Sequence, residues 1–215
     1  MGEKKHLALP LFVVFLFVVW GVYRFFTRNS EGVDELIFKP IIWVLPVLFI
    51  VKRIEKQSLE TIGLTSKNLF RNIYIGWGLG ALFAFEGIVT NAFKYGGVSF
   101  SPESFKAVEL IMLVLISFFT AFSEELVFRG YIMTRLAQGL KNDLMANVLA
   151  AVLFALLHIP IAIYVLHYSA VDLLSFEWVM FVLGIVNGYL FSKVRSLAIP
   201  VMSHSLWNLA IILFR

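Results

Sequence analysis

Two adjacent carboxylates and an arginine, Glu124, Glu125 and Arg129, directly follow an apolar run at residues 108–122. The run looks like a membrane helix, so three ionisable groups are placed at or inside a bilayer. Such groups are costly in a membrane, and they usually face a protein interior or a water-filled cavity where they mark a working site. Glu125 and Arg129 share one helix face and can form an ion pair that offsets the buried charge. This stretch is the first candidate for a functional site.

Two further pairs of residues repeat the helical spacing later in the chain. They are Phe154 with His158 and His204 with Asn208. Each pair is separated by about one helical turn and lies on one helix face. Glu124 and His158 are equally far along the chain from Lys141, which lies in a turn predicted between two helices. An antiparallel helix pair would therefore bring Glu124 and His158 to the same depth.

A carboxylate with two imidazoles supports two kinds of hydrolytic chemistry. Glu124, His158 and His204 can hold a metal such as zinc with an open position for water. The glutamate can also activate water directly as a general base. Asn208 can donate its side-chain amide to a developing oxyanion. Both routes lead to hydrolysis, and zinc is a candidate cofactor for the first.

The composition is that of a membrane protein. Of the 215 residues, 60% are hydrophobic and 15% are charged, and the mean hydropathy is +0.87. Soluble domains contain only about 45–50% apolar residues. The net charge of +4 comes from basic residues between apolar runs, with no aromatic-interleaved patch, so nucleic acid is not an expected partner. The absence of cysteine excludes disulfides and thiolate nucleophiles.

The apolar runs predict an all-α fold, a polytopic membrane helical bundle of about seven to eight transmembrane helices. The predicted helical runs are residues 7–26, 36–51, 72–92, 108–138, 143–158, 176–192 and 197–214. Residues 161–172 follow Pro160 and are too short to span, so they are predicted to form an outer or re-entrant piece. The N-terminal transmembrane helices occupy residues 1–57, and the core with the polar pairs occupies residues 58–215.

Glycines predict where helices approach closely. Gly76, Gly78 and Gly80 lie in the third run, and Gly184 and Gly188 form a Gly-x-x-x-Gly pattern in the sixth. Small residues at this spacing allow close packing, either inside the bundle or between two copies.

Basic residues predict the orientation. Residues 52–71 hold the densest group of Lys and Arg, so the positive-inside rule places them in the cytoplasm, together with Lys4 and Lys5. Charged residues within and between the first two runs are then predicted to lie on the outer side. They are Arg24, Arg28, Glu31, Asp34, Glu35 and Lys39.

The polar pairs resemble the motifs of a known family. The run from Glu124 to Arg129 resembles the Glu-Glu-x-x-x-Arg motif of the CPBP family, also called Abi, which contains CAAX proteases and bacteriocin-processing enzymes. Phe154-x-x-x-His158 and the run from His204 to Asn208 are similar to its second and third motifs, in the same order. The resemblance covers about residues 58–214. It implies a multi-pass intramembrane endopeptidase of the cell membrane with its site toward the cytoplasm or the inner leaflet.

The resemblance also implies roles. In that family the first glutamate, here Glu124, is taken to activate the attacking water, with His158 and His204 as base or metal ligands. Asn208 is then the oxyanion donor. The implied substrate is a prenylated, CAAX-like or other membrane-bound peptide. Zinc and metal-free glutamate mechanisms both remain open. The remaining predicted site residues are Glu125 and Arg129 in the catalytic set, and Phe128 and Phe154 as substrate contacts.

Other functions are compatible with the same fold. One is a non-proteolytic membrane protein that binds a secreted peptide or gives immunity to it. Another is a small transporter with a carboxylate proton relay, but the sequence shows no inverted repeat. Glu86 and Asn187 fit no motif and are predicted to make structural polar contacts.

Overall fold

The computed structural model describes residues 2–27, 29–99 and 106–214. Arg28 and residues 100–105 of the loop after the third run lie outside the described residues. All regular elements in the described part are helical, which confirms the predicted all-α bundle. The helices are α1 (Gly2–Phe26), α2 (residues 31–54), α3 (Leu69–Tyr95), α4 (Ala107–Leu140), α5 (Asp143–Leu156), α6 (Ile159–Tyr164), α7 (Ala170–Val194) and α8 (Ala198–Leu213).

Five described stretches are long and apolar enough to cross a membrane. They are Leu7–Phe26, Leu69–Phe93, Ala107–Leu140, Asp143–Tyr164, in which α6 continues α5, and Ala170–Val194. Helix α8 is apolar but shorter, and α2 is built from several short helical pieces. With α2 and α8, which pack in the same bundle, the described residues form seven helical stretches. The protein is therefore an integral, multi-pass membrane protein.

Helix α2 is irregular because of its prolines. Wide π-helical turns at Asp34–Phe38, Pro40–Val44 and Ile50–Ile54 alternate with α-helical turns. Proline lacks the amide hydrogen that a regular helix needs, so the backbone bonds around it must be rearranged. The prolines therefore distort the helix, as predicted, and the helix begins before the predicted start, with Glu31 in its first turn.

Helix α4 also changes its winding, directly after the two glutamates. Its regular part ends at Glu125, and Leu126–Met133 is π-helical and buried on every side. The helix ends at Leu140, and the following residue, Lys141, adopts a left-handed conformation. Asn142 then caps α5 by accepting a hydrogen bond of 3.0 Å from the amide of Met145. The predicted turn between these two helices is present.

Most of the glycines predicted to allow close packing do so inside the bundle. Gly76 and Gly80 of α3 face α8, whereas Gly78 has open space around it in the described structure. Gly184 and Gly188 of α7 lie directly against Ala151 and Asn147 of α5. Of the two possibilities, packing inside the bundle or between two copies, the Gly-x-x-x-Gly pattern therefore shows the first.

Candidate active site

Glu124 is the charged group at the centre of a buried polar cluster. Its Oε1 atom accepts a hydrogen bond of 2.8 Å from Nζ of Lys39 and lies 3.8 Å from Nε2 of His158. Its Oε2 atom lies 3.6 Å from Nε2 of His204. The helices α4, α5 and α8 therefore bring together the glutamate and the two histidines that the sequence predicted at one depth.

Glu125 points to a different set of partners, because consecutive residues on a helix face in different directions. Its Oε1 atom accepts hydrogen bonds from Nδ1 of His204 at 2.8 Å and from Nδ2 of Asn187 at 3.0 Å. Its Oε2 atom lies 3.2 Å from Nε of Arg129 in a fully buried ion pair. Glu125 thus holds His204 and Arg129 in place.

Hydrogen bonds determine where the two histidines carry their protons. Nδ1 of His158 lies 2.8 Å from the carbonyl oxygen of Phe154, which can only accept, so this Nδ1 donates. Nδ1 of His204 donates in the same way to the carboxylate of Glu125. In the neutral rings each Nε2 atom is then an acceptor, and both face Glu124. Three acceptors therefore surround one small space, and a water molecule placed there can donate hydrogen bonds to two of them.

Lys39 is the member of the cluster that sequence reasoning missed. The positive-inside rule predicts that Lys39 lies toward the outer side of the membrane, and the structure places it within α2, where it is 4% exposed. Its Nζ atom lies 2.5 Å from Oε2 of Glu35 and 2.8 Å from Oε1 of Glu124. A charged residue inside an apolar run was the available signal, the same one that singles out Glu124.

Ion pairs continue from Lys39 to the last turn of α1. Arg24 lies 3.7 Å from Glu35 and forms a close ion pair with Asp34. Thr120 of α4 donates a hydrogen bond of 2.8 Å to Glu35. These side chains are buried between α1, α2 and α4 rather than free on an outer surface, because each charge has a partner of opposite sign there.

Asn187 makes the structural polar contacts predicted for it, and they lie beside the candidate site. Besides its bond to Glu125, its Oδ1 atom accepts a hydrogen bond of 2.9 Å from Oγ of Ser203. Ser203 directly precedes His204 on α8. Asn187 therefore joins α7 to both α4 and α8 beside the candidate site.

Glu86 makes the structural contacts predicted for it. Its carboxylate accepts hydrogen bonds from Oγ1 of Thr90 at 2.8 Å and from Nε1 of Trp207 at 3.2 Å. The second bond links α3 to α8, where Trp207 also lines the cavity described below.

Phe128 and Phe154 are fully buried. The ring of Phe154 packs edge-on against His158, with centroids 4.6 Å apart. The guanidinium carbon of Arg129 lies over the same ring, 4.5 Å from its centroid. Phe128 packs against Phe154 with centroids 5.1 Å apart. Neither phenylalanine is among the residues that line the cavity. Both support the cluster, and their contact with substrate stays a prediction.

A cavity of about 240 Å³ borders the cluster. Glu124, His158, His204 and Asn208 line it, together with side chains of α1, α2 and α7 that include Trp20, Lys39, Phe176 and Met180. The Nδ2 atom of Asn208 is buried and has no hydrogen-bond partner among the described residues. It is therefore available to a group bound in the cavity.

The cavity extends from Glu124 toward one end of the bundle. Its lining includes Arg24, Glu31 and Ile212, which lie near the last turn of α1, the first turn of α2 and the last turn of α8. The basic residues 52–71 begin at the other end of α2, roughly 30 Å away at ~1.5 Å per helical residue. The cavity and the most basic loop are thus at opposite ends.

The residues fit a metal ion poorly as they are arranged. Two imidazoles and a carboxylate are suitable ligand types. However, the Lys39 ammonium already contacts the carboxylate of Glu124, where it would lie close to a second cation. Within residues 2–27, 29–99 and 106–214, no group of three or more His, Cys, Asp or Glu side chains has the spacing to hold a metal.

Fold and site together define a class of protein. A helical bundle with membrane-spanning segments holds a glutamate and two histidines beside a cavity, which is an arrangement suited to a membrane-embedded hydrolase.

Comparison with known families agrees with this class. Residues 106–210 match the family model described as Rce1-like, type II CAAX prenyl endopeptidase. The description of this model agrees with the CAAX-protease family that the motifs of the chain resemble. The matched segment contains all the predicted site residues, from Glu124 to Asn208, but it does not contain Lys39. No curated protein and no solved structure gives a significant match to the chain.

Proposed function

We propose that this protein is a CAAX-type endopeptidase, which hydrolyses a peptide bond of its substrate with a water molecule activated by Glu124. The proposal rests on the convergence of Glu124, His158 and His204 on a cavity that Asn208, whose buried Nδ2 atom has no hydrogen-bond partner among the described residues, also lines. A buried carboxylate faced by two imidazole acceptors is suited to take a proton from water.

The attacking water binds between Oε2 of Glu124 and Nε2 of His204. These atoms are 3.6 Å apart, too far for a direct hydrogen bond, and one water can contact both. The water oxygen attacks the scissile carbonyl carbon while its proton passes to Glu124. Nε2 of His158, on the other side of the carboxylate, accepts a hydrogen bond from the water or the substrate.

Collapse of the resulting tetrahedral intermediate completes the reaction. Nδ2 of Asn208 donates a hydrogen bond to the oxyanion. This bond lowers the barrier because it strengthens as negative charge develops on the oxygen. The carbon–nitrogen bond then breaks, and Glu124 returns its proton to the leaving amine. Glu125 and Arg129 act in this scheme by orienting His204 rather than by touching the substrate.

Of the two hydrolytic routes, we favour direct activation of water by the glutamate. The contact of Lys39 with Oε1 of Glu124 supports this choice, because an ammonium and a metal ion bound to one carboxylate repel each other. Zinc remains a prediction that is tested by measuring the metal content and the activity of the purified protein before and after chelation.

The proposed substrate is a membrane-bound peptide, of the prenylated CAAX-like kind. The matched family is described by this activity, and the cavity lies among helices that cross the membrane. A peptide held at the bilayer by a lipid reaches such a cavity without leaving the membrane. Membrane lipids are the other expected partners.

The charge distribution favours a particular side of the cell membrane for substrate entry. The positive-inside rule assigns residues 52–71 to the cytoplasm, and the cavity extends toward the opposite end of the bundle. We therefore propose entry from the outer side, in place of the cytoplasmic opening that the family resemblance implies.

Cleavage of a prenylated CAAX peptide by the purified protein in detergent tests the proposed reaction. The variants are Glu124→Gln, which removes the base with little change in shape, and Glu109→Gln, which makes the same change earlier on α4, outside the cavity. We expect cleavage by the wild type and by Glu109→Gln, and none by a folded Glu124→Gln.

Two results would overturn the proposal in different ways. Undiminished cleavage by Glu124→Gln would remove Glu124 from the role of base. Failure of the folded wild type to cleave prenylated or other membrane-bound peptides would reject the endopeptidase and favour the non-proteolytic binding function.

A further inference from the structure

We propose that Lys39 is a positioning residue for Glu124, so that the N-terminal helices α1 and α2 complete the active site. The proposal rests on the proposed function of Glu124 as the base. It extends the site beyond residues 106–210, the segment that matches the family.

Lys39 bridges two buried carboxylates. Its Nζ atom lies 2.5 Å from Oε2 of Glu35 and 2.8 Å from Oε1 of Glu124. The ammonium also lies 5.8 Å and 5.1 Å from the ring centroids of Trp20 and Trp43. The side chain is therefore held by two ion pairs and two aromatic faces, which attract a cation.

The bridge gives the two oxygens of Glu124 different surroundings. Lys39 engages Oε1, so the carboxylate cannot rotate freely, and Oε2 is left facing Nε2 of His204. This is the oxygen proposed to receive the proton of the water. A catalytic group lowers the activation barrier most when its orientation is fixed before the substrate binds.

The bridge also balances charge in the buried site. Three carboxylates, Asp34, Glu35 and Glu124, share the two cations Arg24 and Lys39. Without Lys39, Arg24 is the cation left in this set, and its ion pairs are with Asp34 and Glu35. Removing one partner of a buried ion pair leaves an uncompensated charge, which is strongly unfavourable.

Aromatic packing ties Lys39 to the core of the bundle. Trp20 of α1 packs edge-on against Trp43 of α2, with centroids 5.1 Å apart, and Trp43 packs against Phe128 of α4, with centroids 5.9 Å apart. Lys39 itself lies between the wide turns that surround Pro40. The irregular helix and the aromatic stack together fix the position of the ammonium relative to Glu124.

Steady-state kinetics of Lys39→Met and Lys39→Arg tests the proposal. We expect kcat of Lys39→Met to fall about 10- to 100-fold, as when groups that orient a reacting residue are removed, with a much smaller change in KM. Lys39→Arg keeps the charge and should recover part of kcat. The control is Lys106→Met, because that lysine also pairs with a glutamate but its side chain is 78% exposed, and it should behave as the wild type.

Two further variants cover the case in which Lys39→Met does not fold. Lys39→Met combined with Glu35→Gln removes one of the two carboxylates that lose the Lys39 ammonium, and the double variant should fold but keep the low kcat. Lys39→Cys would be the only thiol of the chain, so aminoethylation can restore an ammonium at this position alone. Activity should return after complete aminoethylation and not after alkylation by a neutral reagent.

The outcomes separate this proposal from the proposed function. Wild-type kcat in Lys39→Met or in the double variant would overturn the role of Lys39 while leaving Glu124 as the base. Complete aminoethylation of Lys39→Cys without any gain in activity would overturn it as well. A wild type that does not cleave would reject the proposed function itself.

Discussion

Nδ1 of His204 donates a hydrogen bond of 2.8 Å to Oε1 of Glu125, the glutamate that does not face the cavity. The opposite ring nitrogen of His204 faces Glu124 at 3.6 Å. The two neighbouring glutamates therefore have different functions in the proposed mechanism. Glu125 orients the imidazole, and Glu124 works with it on the water.

Removal of the two glutamates should therefore have different effects on stability. Glu125→Ala leaves Arg129 buried without its carboxylate, which typically costs about 3–5 kcal/mol in the free energy of unfolding. Glu124→Ala leaves Lys39 paired with Glu35 and should cost less. Thermal unfolding of both variants in detergent measures the difference. Equal losses would contradict the assignment of Arg129 to Glu125.

Asn208→Ala should lower the rate without destabilising the protein. Loss of an oxyanion donor costs about 2.7–4 kcal/mol in the activation barrier, or about 10²- to 10³-fold in kcat. Stability should hardly change, because Nδ2 of Asn208 has no hydrogen-bond partner among the described residues. Cleavage assays and thermal unfolding check both parts, and an unchanged kcat would make Asn208 a packing residue.

The matched control for Asn208 is Asn91→Ala. Nδ2 of Asn91 donates a hydrogen bond of 3.1 Å to the carbonyl oxygen of Ile211 and joins α3 to α8. This variant should lose stability and keep its kcat, the reverse of the pattern expected for Asn208→Ala.

Two glycines of α3 should respond differently to the same substitution. A Cβ atom at Gly76 would lie 2.7 Å from Cβ of Met202 and 2.8 Å from the carbonyl oxygen of Ile199, so Gly76→Ala forces α3 away from α8. Overpacking of this kind costs about 1–3 kcal/mol. Gly78→Ala meets nothing within 4 Å in the described structure and should be tolerated. Thermal unfolding of the two variants compares them, and equal stability would contradict the close helix contact.

Cysteine labelling can test the proposed orientation, because the natural chain contains no cysteine. Ser30→Cys lies at the cavity end of the bundle, and Lys56→Cys lies in the basic loop; both positions are exposed. A membrane-impermeant maleimide added to intact cells should label Ser30→Cys only. Lys56→Cys should react only after the membrane is opened. Labelling in the opposite pattern would restore the predicted cytoplasmic opening.

The polar motifs and their depth could be predicted from the sequence because they depend on local geometry. Helical spacing puts Glu125 and Arg129 on one face, and equal distances from the turn at Lys141 bring Glu124 and His158 together. The length of the apolar runs specifies helices that cross a membrane. These features follow from the covalent chain and the helix repeat, whatever the packing of the remaining helices.

The tertiary structure decided which other side chains join the site. Lys39 reaches Glu124 across 85 positions of the chain, and Asn187 reaches Glu125 across 62. The sequence alone gives no direction for these contacts, because they depend on how α2 and α7 are rotated against α4. Only the packing of bulky side chains and close-set glycines fixes that rotation, and it thereby brings a lysine of the second helix onto the proposed catalytic base.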